Sequence, residues 1–149
     1  LILQGIETVT LRMDRICENT LKVAQFLKGH AKVSWVNYAG LPDHRDHALV
    51  QKYMGGRASG ILNFGVKGGA GDAKAAGARF QDALQLVVRL VNIGDCKSLA
   101  CHPASTTHRQ LAPEEMAKAG VSEDMVRLSI GIEHIDDILA DLDQALQAA

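Results

Sequence analysis

An arginine lies in the middle of an apolar run near the C-terminus of the chain. Residues 125–133 (MVRLSIGIE) alternate, so a strand here puts Val126 and Leu128 on one side and Arg127 on the other. A guanidinium needs a partner because its five donors are costly to bury unpaired. Its planar fork fits both oxygens of a carboxylate. The strand therefore favours equally a clamp for a substrate carboxylate and an internal salt bridge, with Glu133 or another acid.

Residues 43–47 (DHRDH) combine two histidines with two aspartates. Histidine and carboxylate side chains bind zinc, but the metal takes four ligands and no further ligand group is evident in the sequence. The run follows a proline turn and precedes a predicted helix. We therefore interpret it as a solvated loop rather than a metal site.

A glycine-rich stretch at residues 64–71 (FGVKGGAG) lies between a predicted strand and a predicted helix, where a phosphate often binds. It lacks the Gly-Lys-Ser/Thr ending of a P-loop and the GxGxxG spacing of a dinucleotide site. Asp72 at the start of the helix would also repel an anion. The stretch therefore predicts a plain strand-to-helix turn.

The chain has three cysteines, Cys17, Cys96 and Cys101, without CxxC spacing. An odd number without paired spacing favours free thiols in a reducing compartment, so we expect a cytoplasmic protein. The cysteines lack partners for a zinc site, and no Ser-His-Asp or Cys-His motif is present. The sequence therefore contains no motif typical of nucleophilic catalysis.

Apolar spacing predicts the elements that position these residues. Steps of three and four predict a helix from Ile6 to Leu27, a second from residue 72 through Val91, and a last one from Ile135. Short helices are predicted at residues 47–54 and from Pro113, and strands at residues 33–38, 60–66, 98–101 and 125–133. We expect one α+β domain with long helices on one face of a four-stranded sheet and a partner domain covering the other face.

Length and charge exclude several classes of protein. The chain has 149 residues, which suits one domain, and a net charge of -1, which gives no basic field for nucleic acid or anionic lipid. No apolar run approaches the ~20 residues that span a bilayer. We therefore expect no nucleic-acid or membrane partner. Because the chain opens at Leu1 without Met, we also expect it to be a piece of a longer protein.

Three runs in the second half of the chain resemble one enzyme family. They are residues 92–99 (NIGDCKSL), 102–108 (HPASTTH) and 126–133 (VRLSIGIE). They resemble the Cys/Met-metabolism enzymes that depend on pyridoxal phosphate (PLP), a family that includes cystathionine γ-synthase, cystathionine lyases, methionine γ-lyase and O-acetylhomoserine sulfhydrylase. The resemblance extends over essentially the whole chain. Asn-x-Gly-Asp, Ser-Thr-Thr-His and residues 36–42 (VNYAGLP) are similar to the O-acetylhomoserine sulfhydrylase branch.

The resemblance implies the small C-terminal domain of the aspartate-aminotransferase-like PLP fold, with a four-stranded, mostly antiparallel sheet and helices on one face. It matches Arg127 to the family arginine that binds the substrate α-carboxylate. It matches Asn92 to a position, often Ser, that helps to hold this carboxylate, and Thr107 to a threonine that lines the same pocket. Ile16 and Cys101 depart from the His and the aliphatic residue that are usual there, and we interpret both as packing changes.

The resemblance also implies a reaction and a cofactor for the full-length parent. PLP would serve as the electron sink of a γ-replacement that converts O-acetylhomoserine and sulfide into homocysteine and acetate, in methionine biosynthesis. No lysine here lies in the family's Ser-x-Thr-Lys context, and the family's phosphate site and ring-stacking aromatic lie upstream. We therefore expect residues 1–149 to contain no catalytic and no cofactor-binding residue, and to be inactive without the rest of the enzyme.

The implied partners are an amino-acid substrate, the protein's own N-terminal PLP domain and further copies in a homotetramer. Other interpretations remain open. The parent could be another member of the family, a cystathionine γ-synthase or a methionine γ-lyase. The chain could also be a free-standing regulatory module that binds an amino acid through Arg127, or an oligomerisation domain. A much longer parent chain would favour the enzyme over the last two.

Overall fold

Three long helices pack together on one face of a mixed sheet. The structure is a computed structural model that describes residues 1–68 and 72–149. Its helices are α1 (Ile2–Glu7), α2 (Val9–Gly29), α3 (His47–Met54), α4 (Ala73–Ala83), α5 (Pro113–Lys118) and α6 (Ile135–Gln147), with a 3-10 turn at Pro103–Ser105. Its strands are β1 (Val33–Asn37), β2 (Ile61–Val66), β3 (Val88–Arg89), β4 (Leu99–Cys101) and β5 (Met125–Ser129).

The sheet has the strand order β1-β2-β5-β4-β3, so β5 lies at its centre. The pairings β1–β2, β2–β5 and β4–β5 are antiparallel, and β3 pairs in parallel with β4. The predicted α+β class and the mostly antiparallel sheet are confirmed. The described part of the chain has five strands where four were predicted, because β3 forms within the segment that was predicted to be helical.

The helix predicted to run through Val91 ends early, at Ala83, because of a contact that is distant in sequence. The carboxylate of Asp141 on α6 accepts hydrogen bonds from the backbone N–H groups of Gln85, Leu86 and Val87, at 2.9, 3.0 and 2.9 Å. Those amides would otherwise continue the helical ladder of α4. The next backbone bond, Val88 N to Ser98 O at 2.9 Å, pairs this segment with the chain entering β4.

The main core lies between the sheet and the helices. Val126 and Leu128 of β5 and Phe64 of β2 are fully buried, and Phe64 packs edge-to-face on Phe80 of α4 with ring centroids 5.5 Å apart. α6 contributes its buried apolar stripe to the same cluster (Ile138, Leu142, Ala145 and Leu146). Within the described residues no helix is long and apolar enough to cross a membrane.

Most of the exposed large apolar residues lie in two segments, and the others are Leu49, Tyr53 and Met54 of α3 together with Leu111 and Ile132. The inward-facing stripe predicted to begin at Ile6 is wrong in its first part: Ile6 and Val9 are 58% and 41% exposed, and the stripe becomes buried at Ile16. No described long element packs on these first turns. The first segment exposes Leu1, Ile2, Leu3, Ile6, Val9 and Leu11, and the second exposes Leu86, Val88, Leu90, Val91 and Ile93.

Candidate functional site

Arg127 lies at the centre of the sheet, on the face opposite the long helices, which we call the second face. Its neighbours Val126 and Leu128 point into the core, so the alternation of β5 directs Arg127 away from it. Its cross-strand partners are Asn63 on β2 and Cys101 on β4. The prediction that Arg127 faces away from the aliphatic set is confirmed, and the side chain is half-buried.

Within residues 1–68 and 72–149, the Arg127 guanidinium forms no hydrogen bond and no salt bridge. The internal partner suggested by the sequence, Glu133, is engaged elsewhere: its carboxylate accepts from Ser98 N at 2.6 Å and from Ser98 Oγ at 2.9 Å. The same hydroxyl oxygen accepts from Gly131 N at 2.9 Å. Because β5 ends at Ser129, the alternation that would have put Glu133 on the same face as Arg127 does not continue. The proposed Arg127–Glu133 salt bridge is therefore wrong.

A row of uncharged side chains flanks Arg127 across the second face. The register pairs Asn37 with Asn63, Asn63 with Arg127, and Arg127 with Cys101, and we call these four residues the polar row. Asn37 Oδ1 accepts from His44 Nε2 at 2.8 Å. Asn63 Oδ1 is buried and has no hydrogen-bond partner among the described residues. The Arg127 guanidinium and the neighbouring Asn63 Oδ1 therefore both lack hydrogen-bond partners among the described residues.

The loop that carries Asn92 reaches the second face next to Arg127. Gly94, at φ 76°, donates its N–H to Ser129 Oγ at 3.4 Å, and Ser129 is one side-chain position beyond Arg127 on the same face of β5. Asn92 itself is exposed, and its Oδ1 accepts from Ile93 N at 2.9 Å. Its amide N–H groups form no hydrogen bond with a described residue.

The segment that carries Thr107 lies on the other side of the polar row. Thr106 Oγ1 contacts Cys101 Sγ at 3.5 Å and donates to His102 O at 2.8 Å. Thr107 is exposed, and its hydroxyl lies 2.8 Å from His108 Nδ1. Within the described part of the chain, no hydrogen bond joins Asn92 or Thr107 to Arg127, although both loops contact residues adjacent to it.

His102 anchors the Thr107 segment to the rest of the domain. The ring is buried, with Nε2 donating to Glu123 O at 2.8 Å and Nδ1 accepting from Ser105 Oγ at 2.8 Å. Its backbone N–H donates to Gln81 Oε1 on α4 at 3.0 Å. Burial lowers the pKa of His102, which keeps the ring neutral and fits this donor–acceptor pattern. A Cβ at Gly77 would clash with the His102 ring, so close packing requires glycine there.

The two other candidate sites from the sequence are residues 43–47 and the glycine-rich stretch at residues 64–71. His44 accepts from Asp46 N at 3.1 Å as well as donating to Asn37, and His47 Nδ1 lies 3.3 Å from Ala39 O. Residues 43–46 form a turn before α3, but His44, Asp46 and His47 are only partly exposed, so the predicted solvated loop is present only in part. Among the described residues no cluster of His, Cys, Asp and Glu could hold a metal. Residues 69–71 of the glycine-rich stretch lie outside the described residues, and the Asp72 carboxylate pairs with Arg79 at 2.7 Å.

Ile16 and Cys101, the two departures from the family pattern, were both interpreted as packing changes, and the structure fits this interpretation better for Ile16 than for Cys101. Ile16 is 1% exposed and lies on the inner side of α2. Cys101 is also buried, but it is the cross-strand neighbour of Arg127. The three cysteines are free thiols, with Cys17 and Cys101 buried and Cys96 exposed.

Sequence reasoning missed Asn63. The signal was a single polar residue inside an otherwise apolar strand (GILNFGV), and we assigned it no role. Its significance depends on β2 lying beside β5, which no local pattern specifies. Only the register Asn63–Arg127 shows that the polar residue and the arginine share one face.

None of the lysines is buried in this structure. The set is Lys22, Lys28, Lys32, Lys52, Lys67, Lys74, Lys97 and Lys118, all exposed except Lys32. Lys32 is half-buried, and its Nζ donates to Ala149 O at 3.2 Å.

The comparisons with known proteins agree with the resemblance seen in the sequence. The Cys/Met metabolism PLP-dependent enzyme family matches residues 1–147. The chain is 52% identical over 145 residues to O-acetyl-L-homoserine sulfhydrylase 1 of Thermus thermophilus, covering 97% of this chain and 34% of that protein. It is 47% identical to L-methionine gamma-lyase of Pseudomonas putida over 149 residues, covering 100% of this chain and 36% of that protein.

The fold is similar to a crystal structure of a Campylobacter jejuni protein described as an O-acetylhomoserine (thiol)-lyase. The TM-score is 0.87 at 44% sequence identity, covering 97% of this chain and 34% of that one, and that protein carries N'-pyridoxyl-lysine-5'-monophosphate. The chain thus spans about a third of the length of the relatives that it matches. The recognition made from the three sequence runs is confirmed: the chain belongs to the Cys/Met metabolism family of PLP-dependent enzymes.

Proposed function

We propose that this chain is the C-terminal, substrate-binding domain of a longer O-acetylhomoserine sulfhydrylase, which converts O-acetylhomoserine and sulfide into homocysteine and acetate. In this proposal Arg127 binds the α-carboxylate of the substrate. The supporting observation is that Arg127 extends from the central strand β5 without a partner among the described residues. A half-buried guanidinium in that position is poised for an external carboxylate, because two charge-assisted bonds would satisfy its fork.

The magnitude of such a contact is sufficient to orient a small substrate. Hydrogen bonds to charged groups contribute about 1.5–3 kcal/mol each. The neighbouring loop residues would add to this. Asn92 keeps its amide donors free while its Oδ1 caps Ile93 N, so we assign it a donor role toward the same carboxylate. We assign Thr107 to the wall of the pocket, since its segment contacts Cys101 beside Arg127 through Thr106.

We place the Schiff-base lysine and the PLP-binding residues in the remainder of the protein. Two observations support this: no lysine of this chain lies in the family's Ser-x-Thr-Lys context, and the chain spans about a third of the length of its relatives. The exposed apolar segments at residues 1–11 and 86–93 would then contact the N-terminal PLP domain or other subunits. The chain alone would bind no PLP and have no activity. From the resemblance we also propose a cytoplasmic homotetramer that acts in methionine biosynthesis.

The test is a substrate comparison with the complete protein. With O-acetylhomoserine and sulfide, we expect homocysteine and acetate in equal amounts. With methionine alone, we expect little methanethiol. The methionine γ-lyase alternative is supported by 47% identity to the Pseudomonas putida enzyme, and it predicts the opposite preference. Rapid methanethiol release without turnover of O-acetylhomoserine would overturn the sulfhydrylase assignment. Absence of both activities, with PLP bound, would overturn the assignment to this pair of reactions.

A further inference from the structure

Asn63 and Arg127 face each other across the β2–β5 ladder, and neither side chain has its hydrogen bonds satisfied. Side chains that are directly opposite in antiparallel strands have Cβ atoms about 4.5–5.5 Å apart. The Asn63 Oδ1 is buried without a donor among the described residues, and Arg127 carries five N–H donors without a described acceptor. The nearest cross-strand group that can satisfy Asn63 through a charge-assisted bond is therefore Arg127.

The other neighbour of Asn63 in the polar row is less suited to this role. Asn37 is exposed, and its amide is already oriented by the 2.8 Å bond that its Oδ1 accepts from His44 Nε2. Its remaining donors belong to a neutral amide, which gives a weaker bond than a guanidinium. Asn37 therefore provides a matched control: the same residue type, one strand away, on the same face of the sheet.

We propose that Asn63 is a positioning residue for Arg127: its Oδ1 accepts a hydrogen bond from one edge of the guanidinium while the other edge binds the substrate carboxylate. This inference rests on the function proposed above for Arg127. A bidentate carboxylate uses two of the five donors, so an acceptor from the protein can bind a third without competing with the ligand. The bond would limit the rotation of a long side chain and so reduce the entropy lost on binding.

The chemical type of residue 63 matters because it leaves the charge of Arg127 available. An amide oxygen is neutral, so it orients the guanidinium without neutralising it. An aspartate in the same place is nearly isosteric, but it would form a salt bridge with Arg127 and compete with the substrate carboxylate. The polar row contains no acid, which agrees with this requirement.

The test compares substitutions of Asn63 in the complete protein by KM, kcat and melting temperature. For Asn63→Asp we expect KM for O-acetylhomoserine to rise at least tenfold while the melting temperature stays the same or rises, because a new ion pair forms. For Asn63→Ala we expect a severalfold rise in KM. Asn63→Thr keeps an acceptor oxygen on a residue type that is common in strands. Its KM should therefore lie between the KM of the unchanged protein and the KM of Asn63→Ala. Asn37→Ala should leave KM unchanged.

Two results would overturn the inference while leaving the proposed function intact. One is an unchanged KM in Asn63→Asp and Asn63→Ala when Arg127→Lys raises it. The other is an equal rise in KM for Asn63→Ala and Asn37→Ala, which indicates a general effect on the sheet. If Asn63→Asp does not fold, the contrast between Asn63→Ala and Asn63→Thr decides in its place. If Arg127→Lys also leaves KM unchanged, the carboxylate-binding role proposed for Arg127 fails.

Discussion

Replacement of Arg127 by lysine separates a substrate clamp from a structural arginine. Lysine keeps the positive charge but offers a single ammonium where the guanidinium binds both carboxylate oxygens. The loss of one charge-assisted bond costs about 1.5–3 kcal/mol. Since about 1.4 kcal/mol corresponds to a factor of ten in rate, kcat/KM for O-acetylhomoserine should fall about ten- to a hundredfold in the complete protein. Most of the change should appear in KM.

The stability of the same variant provides the second readout. Because Arg127 forms no ion pair with a described residue and a lysine ammonium can still donate to Asn63 Oδ1, Arg127→Lys should change the free energy of unfolding by less than about 0.5 kcal/mol. PLP absorbance should be retained. Arg45→Lys is the control, since Arg45 has an 89% exposed side chain whose one salt bridge among the described residues is with the adjacent Asp46. A clear drop in melting temperature with an unchanged KM would show that Arg127 is structural and that the clamp is wrong.

Two further predictions concern the supports of the site, and both can be checked by urea denaturation. Asp141→Ala removes the acceptor of three backbone N–H groups and should lower the free energy of unfolding by about 3 kcal/mol. The control, Asp137→Ala in the exposed first turn of α6, should lower it by less than about 1 kcal/mol. Equal effects of the two substitutions would contradict the capping role of Asp141. Burial lowers the pKa of His102 in the folded state, so as the pH falls the unfolded chain binds a proton before the folded chain does. The free energy of unfolding should therefore be retained above pH 6.5 and should decrease as the pH falls from 6.5 toward the pKa of the folded state. His102→Gln should reduce this loss between pH 7 and 5.5, and an unchanged pH dependence would show that another group is responsible.

The predictions that succeeded from sequence alone are those governed by local patterns. The alternation of residues 125–129 depends on side-chain period, so Val126 and Leu128 were correctly assigned to the core and Arg127 to the opposite face. The α3 boundaries at His47 and Met54 were likewise predicted, because glycines follow the helix directly and Gly55 adopts the left-handed conformation there.

The predictions that failed depend on contacts between residues distant in sequence. The apolar spacing of α4 continues past Ala83, and the helix ends there because Asp141 captures the next three amides. Glu133 was expected near Arg127 from alternation alone, but β5 ends at Ser129 and Ser98 binds the carboxylate. Neither event leaves a signal in the local sequence.

The Ser98–Glu133 contact has a consequence for the charge of the site. Glu133 is the acid that follows β5 most closely in sequence, and an extended strand would have brought it to the face of Arg127. Instead Ser98 holds it through a backbone N–H and a hydroxyl, while the residues beside Arg127 in the polar row are an amide and a thiol. A carboxylate on the protein would compete directly with a substrate carboxylate for the guanidinium. The fold thus keeps the carboxylate of Glu133 bound to Ser98, and the two residues next to Arg127 in the polar row are uncharged.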